Sequence, residues 1–205
     1  MRIAANLRTA VLMILVATGL LGVAYPLAVT ACAQLLFPDS ADGQLIVRNG
    51  RVIGSRLIGQ PFSAPEYFHS RPSAAGPAGY DATASGGSNL GPTSAALVAL
   101  VRARADAARR EDGSGPVPID LVTASASGLD PHITPANAAF QAARVARVRG
   151  VTPAIIERLI EAHTEGRQLG FLGEPRVNVL LLNLALDDRY PMRAAARSDS
   201  RPSAR

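Results

Sequence analysis

The chain has 205 residues, 48% of them hydrophobic, with 21 basic residues that are all Arg, 16 acidic residues and a single Cys. The absence of Lys excludes a P-loop, which sets an ammonium on the β- and γ-phosphates, and a Schiff-base enzyme; one Cys excludes an internal disulfide. The formal charge of +5 does not describe a basic surface: residues 1–38 hold two Arg, residues 39–188 hold 14 Arg against 15 acids, and residues 189–205 hold five Arg against Asp199. No basic face interleaved with aromatics follows from that distribution, and nucleic acid is not an expected partner.

After a short N-terminus (residues 1–8), Thr9 to Phe37 contains no Asp, Glu, Lys, Arg or His. A helix rising ~1.5 Å per residue needs about 20 residues to cross a ~30 Å hydrocarbon layer, so residues 9–37 allow one crossing and not two. Pro26 predicts a kink or an end to regular helix near Tyr25. Arg2 and Arg8 precede the run and Asp39 and Asp42 follow it, an asymmetry that places the N-terminus in the cytoplasm and the remainder outside. Ala31-Cys32-Ala33 has the form of a leader cleavage site, and Val29-Thr30-Ala31-Cys32 that of a lipoprotein box. Signal-peptide apolar regions run ~7–15 residues, and this one is longer, which favours an uncleaved anchor.

Residues 38–188 are one domain's worth of chain, with a core that must come from aliphatic residues and Ala, since aromatics make up 4% and Trp is absent. Asn49-Gly50 between Leu45-Ile46-Val47 and Val52-Ile53 predicts a hairpin near 44–58 with a type I′ turn. Tyr67 to Pro92 is rich in Gly, Ala, Ser and Pro, yet Tyr67, Phe68, Arg71 and Tyr80 argue for an ordered loop. Helices are predicted from Thr93 to about Arg110, from Thr134-Pro135 to Arg149, from Thr152-Pro153 with Gly166 as its stop, and from Glu174-Pro175 through Leu186. Pro118 to Thr123 reads as a short extended segment. The last helix, apolar on more than one stripe, should be central to the core. Residues 189–205 are Arg- and Ala-rich with nothing to bury, and are expected to stay disordered.

Several stretches carry chemical possibilities. Ser85-Gly86-Gly87-Ser88-Asn89-Leu90-Gly91-Pro92 could form an anion-binding nest, or a tight turn leading into the next helix. Ser125, Ser127, Asp130 and His132 lie close in sequence, but no Gly-x-Ser-x-Gly elbow accompanies them; a turn that bonds its own backbone is the simpler reading. A secreted lipoprotein hydrolase is the corresponding alternative function. His69, His132 and His163 lack metal-ligand spacing, so no metal is expected. Gln141, Arg144 and Arg147 lie at helical spacings of three and six, Gln141 and Arg144 on one face with Arg147 roughly below, as either a solvated stripe or a partner contact.

Six strings of the sequence together resemble the KdpC family, the small subunit of the Kdp high-affinity potassium-transporting P-type ATPase. They are Gly54-Ser55-x-Leu57-Ile58-Gly59-Gln60-x-Phe62, Tyr67-Phe68-x-x-Arg71-Pro72-Ser73, the 85–92 loop, Pro118-x-Asp120 through Ile133, Gln141-x-x-Arg144-Val145-Ala146, and Gly173-x-Pro175-x-Val177-Asn178-Val179-Leu180. The resemblance implies an α/β (mixed α+β) extracytoplasmic domain behind a single N-terminal transmembrane helix, in the bacterial inner membrane. It implies partnership with a channel-like potassium-translocating subunit, an ATP-hydrolysing P-type subunit and a small one-helix subunit, with no catalysis by this chain. It also implies a catalytic-chaperone role that raises the ATP affinity of the hydrolysing subunit, with ATP reached through the complex. A nucleotide-binding module acting directly on ATP is the alternative. Tyr67, Phe68, Arg71, Ser85, Gly86, Gly87 and Asn89 are the expected partner-binding residues, and Gln141 and Ser88 the nucleotide-linked ones.

Overall fold

A computed structural model describes residues 2–192, in two compact units divided between Ser55 and Arg56. In the first unit, α1 (Arg2–Ala17), a π-helical segment (Thr18–Ala24) and α2 (Tyr25–Leu36) form one continuous helix with no buried residue. It is the one helix among the described residues long and apolar enough to cross a membrane. Regular α geometry does stop ahead of Pro26, but as a change of pitch rather than a break. The proline ring would collide with the carbonyl four residues back; the wider π turn makes room, and the Tyr25 N–H donates to Leu20 O, five residues back.

A short α3 (Pro38–Ala41) leads to the hairpin of β1 (Leu45–Arg48) and β2 (Arg51–Ser55). Asn49 (φ 51°) and Gly50 (φ 73°) both take the left-handed conformation that a two-residue I′ turn requires, as the Asn-Gly pair predicts.

The second unit contains α4 (Ala95–Asp112), α5 (Ile119–Val122), β3 (His132–Ile133), α6 (Pro135–Arg149), α7 (Pro153–Ala162), β4 (Thr164–Glu165), β5 (Arg176–Asn178) and α8 (Val179–Arg189). Its three short strands make an antiparallel sheet in the order β3-β5-β4, with Ile133 opposite Val177 and Thr164 also opposite Val177.

Some boundaries differ from the sequence reading. Ser94, not Thr93, caps α4 by accepting the Leu97 N–H, and the helix runs on to Asp112. The segment expected to be extended is α5, one helical turn opened at Pro118 and closed by Thr123 Oγ1 donating back to Ile119 O. Thr152 makes no side-chain cap, and α7 ends at Ala162, because the next residues are needed as β4. Residues 176–178, expected within the last helix, are the central strand; Asn178 then caps α8 by accepting the Leu181 N–H. The expectation for α6 holds: Thr134 Oγ1 accepts the Asn137 N–H, and Gly150 closes the helix at φ 69°.

The core joins Ala142, Val145 and Ala146 of α6, Ile156 and Leu159 of α7, Val177 of β5, and Leu182 and Leu186 of α8. The last helix is therefore central, as its broad apolar run predicts. Tyr190 packs against this core directly after α8, so the first residues of the expected tail belong to the ordered chain; residues 193–205 lie outside the described residues.

Gly128 (φ 67°) sits where three loops meet: a Cβ there would lie 2.7 Å from both Ala75 N and Gly86 O. Gly150 has a similar φ but open space around it. Gly128→Ala is expected to cost roughly 3 kcal/mol through backbone collision, against about 1 kcal/mol for Gly150→Ala from conformation alone. Urea unfolding of the full chain in detergent, followed by circular dichroism, reads the difference.

Candidate functional site

Residues 64–75 have no regular secondary structure and yet lie against the core, with Phe68 and Ala75 fully buried. Buried backbone must find hydrogen bonds, and here side chains of α6 and α8 supply them. Arg144 Nη1 donates to Pro65 O (2.6 Å) and Tyr67 O (2.8 Å), while Arg149 Nε donates to Glu66 O (2.8 Å). Asn183 grips both backbone groups of Phe68: its Oδ1 accepts the N–H and its Nδ2 donates to the carbonyl, each at 2.9 Å. Gln141 does the same for His69, at 2.7 and 3.1 Å. A side-chain amide presents one donor and one acceptor side by side, as a peptide group in a neighbouring strand would.

These side chains are themselves held. Gln141 Oε1 also accepts from Arg144 Nη2 and its Nε2 also donates to Asn137 Oδ1, so both lone pairs and both hydrogens of its amide are used. Asn137 Nδ2 donates to Asp120 Oδ2, and Asp120 also accepts from Thr134 N and Thr134 Oγ1. Arg144 Nε is paired with Asp112 at 2.7 Å. Burial pushes the Asp112 carboxyl up, and this outweighs the opposing pull of the Arg144 hydrogen bond and charge. Arg149 Nη2 pairs with Asp187 at 2.9 Å, and its guanidinium lies 5.0 Å from the centre of the Tyr67 ring.

The strings singled out in the sequence converge beside this strap. Arg71 Nη1 pairs with Asp130 Oδ2 at 3.0 Å, Ser73 Oγ donates to Gly128 O, and Tyr80 Oη donates to Arg71 O. Gly59 N donates to Leu129 O, and a Cβ at Gly59 would stand 2.5 Å from Asp130 O. Gly86 N and Ser85 Oγ both donate to Ser127 O. Next to them Arg71, Asp130, His132, Thr134, Glu174 and Arg176 are among the residues lining an open cleft of about 290 Å³. Burial acts to raise the Asp130 carboxyl, but hydrogen bonds from the His132 side chain and N–H, with the Arg71 charge and hydrogen bond, bring it below the usual carboxylate range.

The expected site residues fall into three groups. Tyr67, Phe68 and Gln141 belong to the strap and its anchors; Phe68 is in the core and Gln141 is fully buried, so the Gln141–Arg144 face is neither solvated nor open to a partner. Arg71, Ser85, Gly86 and Gly87 lock three loops together, Gly87 because a side chain would crowd Ala126 O. Ser88 and Asn89 are exposed, Asn89 with φ 52°. The Ser-Asp-His stretch is a turn: Ser127 Oγ accepts the Leu129 N–H and Asp130 Oδ1 the His132 N–H. Among the described residues no group of three His, Cys, Asp or Glu could hold a metal ion. The anchoring roles of Asn137 and Asn183 went unread, although Asn137, Gln141 and Arg144 recur at helical spacing on one face. Also unread was the exposed apolar tip of Leu169, Phe171 and Leu172.

A family model described as KdpC: K+-transporting ATPase, c chain, matches residues 7–188. The chain belongs to the KdpC family. It is similar to a potassium-transporting ATPase KdpC subunit of Koribacter versatilis, 60% identical over 187 residues that cover 91% of this chain and 96% of the relative. KdpC subunits of Sorangium cellulosum (60% over 185 residues; 89% and 97% covered) and Methylococcus capsulatus (59% over 184 residues; 89% and 97% covered) match comparably. This KdpC chain is an accessory, non-catalytic subunit of the potassium-transporting Kdp ATPase.

Two substitutions test the site's energetics. Arg144→Met leaves Asp112 without its buried partner, removes one of the two bonds to Gln141 Oε1 and frees two strap carbonyls, so a loss of about 3–5 kcal/mol is expected in chemical unfolding of the full chain in detergent. For Asp130, a folded-state pKa below the unfolded value contributes stability that is present above the ordinary 3.8 and lost as pH falls through the folded value. The stability difference between wild type and Asp130→Asn should therefore be largest at about pH 6 and shrink towards about pH 3.

Proposed function

We propose that this KdpC chain is anchored in the bacterial inner membrane with its N-terminus in the cytoplasm and residues 38–188 outside, and that it assembles and stabilises the pump by docking that domain on the channel-like potassium-translocating subunit. The observation that carries this reading is the pair Arg2 and Arg8 before the one apolar helix, against Asp39 and Asp42 after it. The same reading gives the chain contacts with the ATP-hydrolysing subunit and the small one-helix subunit. It makes the catalytic-chaperone effect on ATP affinity an indirect one, carried by subunit contacts. Support for an indirect route comes from Gln141, whose amide has no hydrogen-bonding capacity left for a nucleotide. The loop expected as an anion nest supports it too, since the Gly86 N–H is committed to Ser127 O.

Topology decides the matter. In a Cys32→Ser background, a Ser88→Cys variant exposes one thiol on the 85–92 loop. A membrane-impermeant maleimide is expected to label it in intact spheroplasts to the same extent as after lysis. Labelling that appears only after lysis would place the domain with cytoplasmic ATP and overturn the proposal.

A further inference from the structure

Between β4 and β5 the chain turns back on itself through residues 167–174. The base of this turn is fastened by two ion pairs: Arg176 Nε to Glu165 Oε2 at 2.9 Å, and Arg167 Nη2 to both carboxylate oxygens of Glu174 at 2.8 and 2.9 Å. Inside them Gln168 and Leu172 exchange backbone hydrogen bonds, both at 2.9 Å. The tip is turned by Leu169 (φ 52°) and Gly170 (φ 82°). Such a φ is ordinary for glycine and unfavourable for a branched side chain, so Leu169 is held there by the turn around it.

The side chains this turn presents are the wrong ones for water. Leu169 is 83% exposed, Phe171 67% and Leu172 47%, side by side on one short tip. None of the three belongs to the hydrophobic core.

Two kinds of surface accept such a tip. A bilayer surface favours apolar residues ringed by cations free to meet anionic headgroups. Here both Arg at the base are balanced by Glu at short range, which leaves the stem neutral. A protein socket favours a rigid apolar anchor within a charge-balanced rim, since little ordering entropy remains to be lost on docking. We infer that the 167–174 turn is a plug that seats in an apolar, uncharged socket on another subunit of the same ATPase. The inference rests on the docking reading proposed above.

The test places a photo-crosslinking benzoylphenylalanine at Leu169 or Phe171 in the full chain, in membranes where the ATPase is assembled, with exposed Arg110 of α4 as the control. Crosslinks from the tip positions to another ATPase subunit, and none from position 110, are expected. Adducts only to lipid, only to a second copy of this chain, or in equal yield from position 110 overturn the inference. A Phe171→Ser, Leu172→Ser double variant should keep the circular dichroism of the full chain while recovery of the other subunits falls roughly tenfold; unchanged recovery overturns it as well. Truncation after Ser55 separates the two ideas. If truncation leaves recovery unchanged, the docking reading itself fails; if truncation abolishes recovery but the double variant does not, only the plug is wrong.

Discussion

The second unit depends on one physical substitution: side-chain amides and guanidinium groups standing where a neighbouring strand would stand. The strap at residues 65–69 has no strand partner, and its carbonyls are nonetheless each bonded, to Arg144, Arg149, Asn183 or Gln141. Burying a guanidinium is costly unless its N–H groups are occupied and its charge met. Arg144, 2% exposed, satisfies both conditions, donating to four acceptors and facing Asp112. A lysine could not take its place, since an ammonium on a flexible stem has fewer donors and no planar fork to hold two carbonyls and a carboxylate apart. In this chain, whose cations are all arginine, the choice falls where the geometry requires it.

The limits of the sequence follow from the same arrangement. Hairpin turn, α6 and its caps, and the central apolar α8 were legible because each is set by local chemistry: Asn-Gly, Thr-Pro and Gly at the helix end, and a broad aliphatic run. The strap was legible only as ordered, through its aromatics and Arg71. Its anchors were not, because a polar residue on a helix normally belongs to the solvated face, and nothing local marks Gln141 or Arg144 as facing inward. The strand at 176–178 was missed for a related reason. Arg176-Val177-Asn178 is only three residues long, with one apolar side chain and a helix directly after it, and only pairing with His132–Ile133 on one side and Thr164–Glu165 on the other makes it extended.

The arrangement also bears on how a subunit without chemistry of its own contributes to a pump. Many of the domain's polar side chains are engaged inside it: Asp120, Asn137, Gln141, Arg144 and Asn183 in the strap network, Asp130 and Arg71 at the loop junction. What the domain presents outward is a set of loops fixed in shape. A membership in the KdpC family, carried along nearly the whole chain, agrees with a component whose value lies in form and attachment.

A strand in a sheet can slide by two residues and recover its ladder, because every peptide group looks alike to its neighbour. The strap has no such freedom. Its backbone groups are as alike to Asn183, Gln141 and Arg144 as a strand's are to its neighbour, but Phe68 buried in the core and Tyr67 Oη donating to Asp187 Oδ2 single out one alignment. The segment that resembles a linker in composition is thus the one whose position along the core is specified most tightly, residue against residue.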